Sequence, residues 1–157
     1  MVKSVVKGMD AVQAILLESY GKTVESFMLS GASKRGLAAW LASIYDERVS
    51  MIVPIVVDMF NIHKVLLHIH ETYNNEYPEA FKDYQEHGMQ DIISSAKFQK
   101  MMEILDPLQY LMPDYDQRYS RQFERLEKYV INASGDYFSL PIVQNFISHL
   151  YLVMTII

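Results

Sequence analysis

The 157-residue sequence predicts an α/β fold in one domain, a parallel sheet flanked by helices, and three observations carry that expectation. Segments with helical spacing alternate with short β-branched runs in the order helix, strand, helix, strand, helices, strand, helix; right-handed crossovers between parallel strands produce this order. The main strand-like run, "SMIVPIVV" at 50–57, is continuously apolar rather than alternating, as in a strand covered on both faces. Half of the residues are hydrophobic and 21% are charged, which supplies a substantial core and argues against disorder.

Taken in order, Val2, Val5, Val6, Met9, Val12, Ile15 and Leu16 recur at three- and four-residue spacing, so 2–19 is an amphipathic helix. Gly21 follows where a helix C-terminus favours glycine. "SFMLS" reads as a strand, Gly31 to Gly36 as a tight turn, and Leu37, Trp40, Leu41 and Ile44 as the apolar stripe of a second helix. The run at 50–57 is the second strand, although Pro54 lacks the ladder donor that a central strand uses. Residues 61–104 are dominated by helical patterning with breaks around Asn74, Pro78 and Gly88, and read as a helical, lid-like insertion. Its aromatics, Tyr73, Tyr77, Phe81 and Tyr84, fit either a binding wall or, better, ordinary helix packing. A polar, tyrosine-rich stretch from Asp106 to Lys128 leads to "YVINASGDYF", a third strand running into a Gly-Asp turn, and 141–150 reads as a helix.

The expected organisation over 1–157 is therefore about three parallel strands with flanking helices: 1–60 helix, strand-turn-helix and next strand; 61–126 helical insertion; 127–157 strand-turn and C-terminal helix. Three strands of buried character leave two bare sheet edges, so the chain is expected to be part of something larger.

Composition excludes several functions. The net charge is −5 and the basic residues are scattered among acids, which argues against a nucleic-acid surface. With no cysteine there is no disulfide and no thiolate zinc site, and the redox compartment stays open. Lys3, Lys7, Asp10 and Glu18 interrupt the N-terminal apolar positions, and the apolar tail "FISHLYLVMTII" is too short to span a bilayer, so no transmembrane segment is expected. That tail reads as a buried element or an abrupt end.

The turn at 31–36 carries the chemistry. A serine nucleophile on a strand-to-helix turn, between small residues, is the arrangement of α/β-hydrolases, usually spaced G-x-S-x-G. Here Gly31-Ala32-Ser33-Lys34-Arg35-Gly36 puts the second glycine one residue late. The Lys34 backbone N–H would be an oxyanion donor at the helix start; the competing reading is that Ser33 caps that helix. A triad needs an acid and then a histidine. Asp136, after the third strand, is the candidate acid, and Asp58, at the end of the second, is the alternative, with a helix cap near Asn61 as its plainer role. His63, His68, His70 and His87 precede Asp136, the wrong order for this fold, and His68 and His70 stand about 200° apart on a helix, unable to share a metal. His149 is the one histidine after the acid, and its apolar helical setting suits a structural residue better than a base.

The segments "FMLSGASKRGLAAWLASIYDERVSMIVPIVVDMFN", "EILDPLQY" and "KYVINASGDYF" together resemble the PhoPQ-activated pathogenicity-related family, a branch of the α/β-hydrolase superfamily that takes in eukaryotic autocrine proliferation repressors. The shared features are G-A-S-K-R-G, D-x-R-V, P-I-V-x-D-M-x-N, D-P-x-x-Y and N-x-x-G-D, in that order over about residues 5–148. The resemblance implies a partial α/β-hydrolase fold with Ser33 at the nucleophile position and Asp136 at the acid position. It places earlier strands and a second oxyanion donor before Met1, and a histidine-bearing loop after Asp136; the tail departs from the family's continuation, so His149 inherits no role. The expectation is a fragment, inactive for lack of a histidine, of a serine hydrolase-like parent of esterase or peptidase type acting on a small molecule or peptide without cofactor or metal. The alternative is a secreted, non-enzymatic signalling protein with a cell-surface partner. A secreted or extracytoplasmic location follows from the resemblance alone.

Overall fold

A computed structural model describes residues 1–57, 60–133 and 152–156. Helix α1 (Val2–Tyr20) forms over the predicted apolar spacing and ends at Gly21 in the left-handed region, φ 62°, where the Gly21 and Lys22 N–H groups reach the Leu17 and Leu16 carbonyls. Strand β1 (Phe27–Ala32), helix α2 (Lys34–Tyr45) and strand β2 (Val49–Ile55) follow as a β-α-β unit. Helices α3 (Ile62–Thr72), α4 (Lys82–Glu86), α5 (Met89–Ile93) and α6 (Ala96–Leu105) occupy the stretch read as an insertion. A 3-10 turn (Pro107–Leu111) and helix α7 (Gln117–Arg125) then lead into β3 (Glu127–Ala133), and β4 (Leu152–Ile156) closes the described chain.

All strand pairs are parallel, in the order β1-β2-β3-β4. The three strands expected from the sequence are present, and a fourth forms from the apolar tail. The helix expected at 141–150 lies outside the described residues. Pro54 does sit in a central strand and is fully buried. It pairs with Gly31 of β1, whereas the ladder to β3 passes from Ile52–Lys128 to Ile55–Ile131 with no pair at Val53 or Pro54. The missing proline donor thus falls where the ladder is already interrupted.

Helix α2 was expected to bury one stripe, but every residue from Gly36 to Ile44 is buried. One side packs on β1 and β2 and the other is covered by α1, α7 and the 107–111 turn. Ala38, Ala39, Ala42 and Ser43 are small enough to admit those neighbours. Gln122 of α7 donates to the Ser43 and Val49 carbonyls at 3.2 and 3.0 Å, joining the end of α2 to the start of β2. Trp40 meets Phe60 edge-on at 4.8 Å and stacks on Phe123 at 5.9 Å, which ties the segment after β2 and α7 to the same core. Each such pair adds about 0.5–1.5 kcal/mol beyond area burial.

Two polar clamps explain motif residues that had no evident task. Arg48 of D-x-R-V pairs with Asp46 at 2.6 Å and Asp10 at 3.0 Å and donates to Gln13, so one guanidinium anchors α1 to the loop before β2. Its hydrogen bonds hold the Asp46 carboxyl below the usual carboxylate range. Asp106 of D-P-x-x-Y is buried and accepts from the backbone N–H groups of Asn61 (3.1 Å), Ile62 (2.9 Å) and Leu108 (2.9 Å). It caps the 107–111 turn and the start of α3 together. Among the described residues no helix is long and apolar enough to cross a membrane.

Candidate functional site

Ser33 is the single residue between β1 and α2, with φ 50° and ψ −123°. Positive φ is disfavoured for a residue with a Cβ, and such a conformation costs of order 1–3 kcal/mol that the surroundings must offset. The surroundings here are specific. The Ser33 N–H donates to the Ile55 carbonyl of β2 at 2.9 Å, and its carbonyl accepts from Leu37 N–H at 3.1 Å. Its side chain makes no capping hydrogen bond, and the residue is exposed. Ser33 thus occupies the N-cap position of α2 without capping the helix through its side chain.

The flanking glycines are required by close crossing rather than by φ. A Cβ on Gly31 would stand 2.6 Å from the Arg35 Cβ and 2.8 Å from its carbonyl carbon. A Cβ on Gly36 would overlap the Val57 methyl and stand 2.9 Å from the Gly31 carbonyl oxygen. The glycine one residue later than G-x-S-x-G is thus the point where α2 passes over the end of β1 and the segment after β2.

The register aligns Ala32, Ile55 and Ile131, so the residues that follow them emerge from one end of the sheet. That is the carboxyl end of the parallel strands, where open α/β sheets place their sites. Val56 follows β2 with φ 46°, an outlier for a β-branched residue, and its N–H donates to the Ile131 carbonyl at 2.7 Å. On β3, Lys128, Val130 and Asn132 point inward. The Asn132 Oδ1 is buried with no hydrogen-bond partner among the described residues. Sequence reasoning assigned nothing to Val56 or to the Asn132 side chain; the N-x-x-G-D pattern was the only signal for Asn132.

Lys34 is the first residue of α2, and its N–H is one of the donors at a helix start without an intrahelical acceptor. Together with the positive end of the helix, it can receive negative charge beside Ser33 Oγ. Asp136, Asp58 and His149 lie outside the described residues. The helix cap near residue 61 is supplied by Asn61, whose side chain accepts from Lys64 N–H. His63, His68 and His70 lie on α3, and His87 follows α4. Tyr77 and Phe81 are buried in the core, whereas Tyr84 is exposed. Among the described residues no three His, Asp or Glu side chains are grouped to hold a metal.

Comparison with known proteins gives three findings. The family model for PhoPQ-activated pathogenicity-related protein matches residues 1–152. Autocrine proliferation repressor protein A of Dictyostelium discoideum is 37% identical over 145 residues, which are 90% of this chain and 26% of that protein. The chain thus spans about a quarter of the length of this curated relative. Among solved structures, MGS-M2, an alpha/beta hydrolase enzyme from a Medee basin deep-sea metagenome library, is similar with a TM-score of 0.41 and 15% identity, over 93% of this chain and 61% of that one.

Proposed function

Because this chain belongs to the PhoPQ-activated pathogenicity-related protein family, we propose that Ser33 is the nucleophile of a serine hydrolase-like site of esterase or peptidase type. The observation that carries the reading is the conformation of Ser33: a strained, exposed serine at the carboxyl end of a parallel strand, its hydroxyl uncommitted to the helix it precedes. In this reaction Ser33 Oγ attacks the carbonyl carbon of an ester or amide and its proton passes to an imidazole. The carbonyl oxygen becomes an oxyanion facing the Lys34 N–H, and collapse expels the alcohol or amine with the proton returned. Asp136 is the acid that would orient the imidazole, with Asp58 as the alternative. Among the described residues no histidine is hydrogen-bonded to Ser33. On this reading the base is His149 or a histidine of a longer parent chain, as the family resemblance implies, and without a base the site would be inactive, since triad members act as a unit. The helices at 61–104 would serve as a lid, and the chemistry needs no cofactor.

The test is labelling of the longer parent protein with a fluorophosphonate probe beside its Ser33→Ala variant. Labelling lost in the variant is expected; equal labelling removes Ser33 as nucleophile. The similarity to a protein named for autocrine proliferation repression favours a second reading, a secreted signalling protein that reuses the fold and binds a cell-surface partner. On that reading the parent's Ser33→Ala variant keeps full growth-repressing activity on cells, and a folded variant that loses it counts against it.

A further inference from the structure

The helices between β2 and β3 line a half-open cavity of about 650 Å3, within the range of small-molecule sites, with its polar side exposed to solvent. Its walls are apolar side chains from α3, α5, α6 and the turn before α4, among them Val65, Leu66, Phe81, Ile93, Phe98 and Met101. Val65, Phe81, Ile93 and Phe98 also belong to the buried core, so these walls are held by packing rather than by solvent-facing side chains. Three polar residues line the same cavity, Asp83, Tyr84 and His87, and all three come from α4 and the residue after it.

The polar set is biased in one direction. His87 Nδ1 lies 2.6 Å from the Asp83 carbonyl oxygen, which can only accept, so Nδ1 carries a proton, and in the tautomer that has no second proton Nε2 presents a lone pair. The Asp83 carboxylate accepts hydrogen bonds and is the single charged group of the lining. The Tyr84 hydroxyl can do either. A ligand with an apolar body and a hydrogen-bond-donating neutral head meets both halves, whereas a carboxylate head would face Asp83 with like charge and bring no proton for Nε2.

We propose that this cavity binds a single-chain amphiphile with a hydroxyl head, its chain among the α3, α5 and α6 side chains and its hydroxyl against His87 and Asp83. Ser33 is not among the residues that line the cavity, and binding there does not require hydrolysis.

Calorimetric titration of the protein with 1-decanol, 1-octanol and decanoate at pH 8 tests it. Each methylene removed from water is worth about fourfold in affinity, so 1-decanol, with two more methylenes, should bind saturably, one to one, and roughly fifteenfold more tightly than 1-octanol. Decanoate should bind at least about tenfold more weakly than 1-decanol. Met101→Trp and Ile92→Trp, at exposed positions of the rim, should weaken 1-decanol binding while leaving thermal unfolding in place. His87→Phe should keep the chain-length dependence and reduce the preference for alcohol over carboxylate. Absent or non-saturable binding, decanoate as tight as 1-decanol, or unchanged affinity in both tryptophan variants would overturn the proposal.

Discussion

Replacing Gly36 by alanine should destabilise the protein, while the same replacement at Gly8 should stabilise it. At Gly36 the new methyl would overlap Val57, a buried residue, and press on the Gly31 carbonyl oxygen at 2.9 Å. Neither neighbour is the free end of a flexible side chain, so the backbone after β1 or β2 must move. Overpacking of this kind costs about 1–3 kcal/mol, and the better helix propensity of alanine returns at most about 1 kcal/mol. The net loss is about 1–2 kcal/mol. Gly8 lies inside α1 with nothing within 4 Å of an added Cβ, so only the propensity gain remains, about 0.5–1 kcal/mol. The two variants, one chemical change in one chain, should therefore differ by roughly 1.5–3 kcal/mol. At about 2–4 °C per kcal/mol for a domain of this size, Gly36→Ala should melt roughly 3–12 °C below Gly8→Ala. Thermal unfolding followed by circular dichroism, with urea titration for the free energies, reads both. A Gly36→Ala variant that melts at or above wild type would refute the close crossing as the reason for this glycine.

Asp106→Ala should cost about 2–5 kcal/mol in urea unfolding, because three backbone donors lose their acceptor, and Asp106→Asn, which keeps one acceptor oxygen, should cost less. Burial raises the Asp106 carboxyl above its ordinary value despite those donors, so the folded state holds the proton longer. Wild type should then lose stability relative to Asp106→Asn as pH rises from about 4 through the folded value; a difference independent of pH between 4 and 7 would contradict this. Burial lowers the Lys128 ammonium to about 8, with its Nζ donating to the Phe123 and Leu126 carbonyls and 4.3 Å from the Phe123 ring centre. The unfolded chain therefore binds the extra proton between about 8 and 10.4, and wild type should gain stability over Lys128→Met across that window, read as diverging urea midpoints.

Sequence alone determined the parts of this protein whose cause is local. The spacing of apolar residues from Val2 to Leu16 makes α1, and Gly21 stops it, because helix period and left-handed backbone are properties of neighbouring residues. The strand-turn-helix around Ser33 was legible for the same reason, and Ser33 does fall between the two elements with Lys34 first in the helix. Asp58, Asp136 and His149 were named from sequence order and stand outside the described residues, so they remain sequence readings. Contacts between distant segments decided the rest. Pro54 is tolerated in a central strand because the β3 ladder skips it; α2 is buried on all sides because α7 and α1 return to cover it. The lateness of Gly36 became intelligible only when Val57 and the Gly31 carbonyl were seen to pass there. Asp106 became a cap for two elements only when α3, over forty residues away in the chain, came to rest against it. A one-dimensional pattern records which face of an element is apolar, but not which other element covers it, and close packing between distant segments supplies that choice.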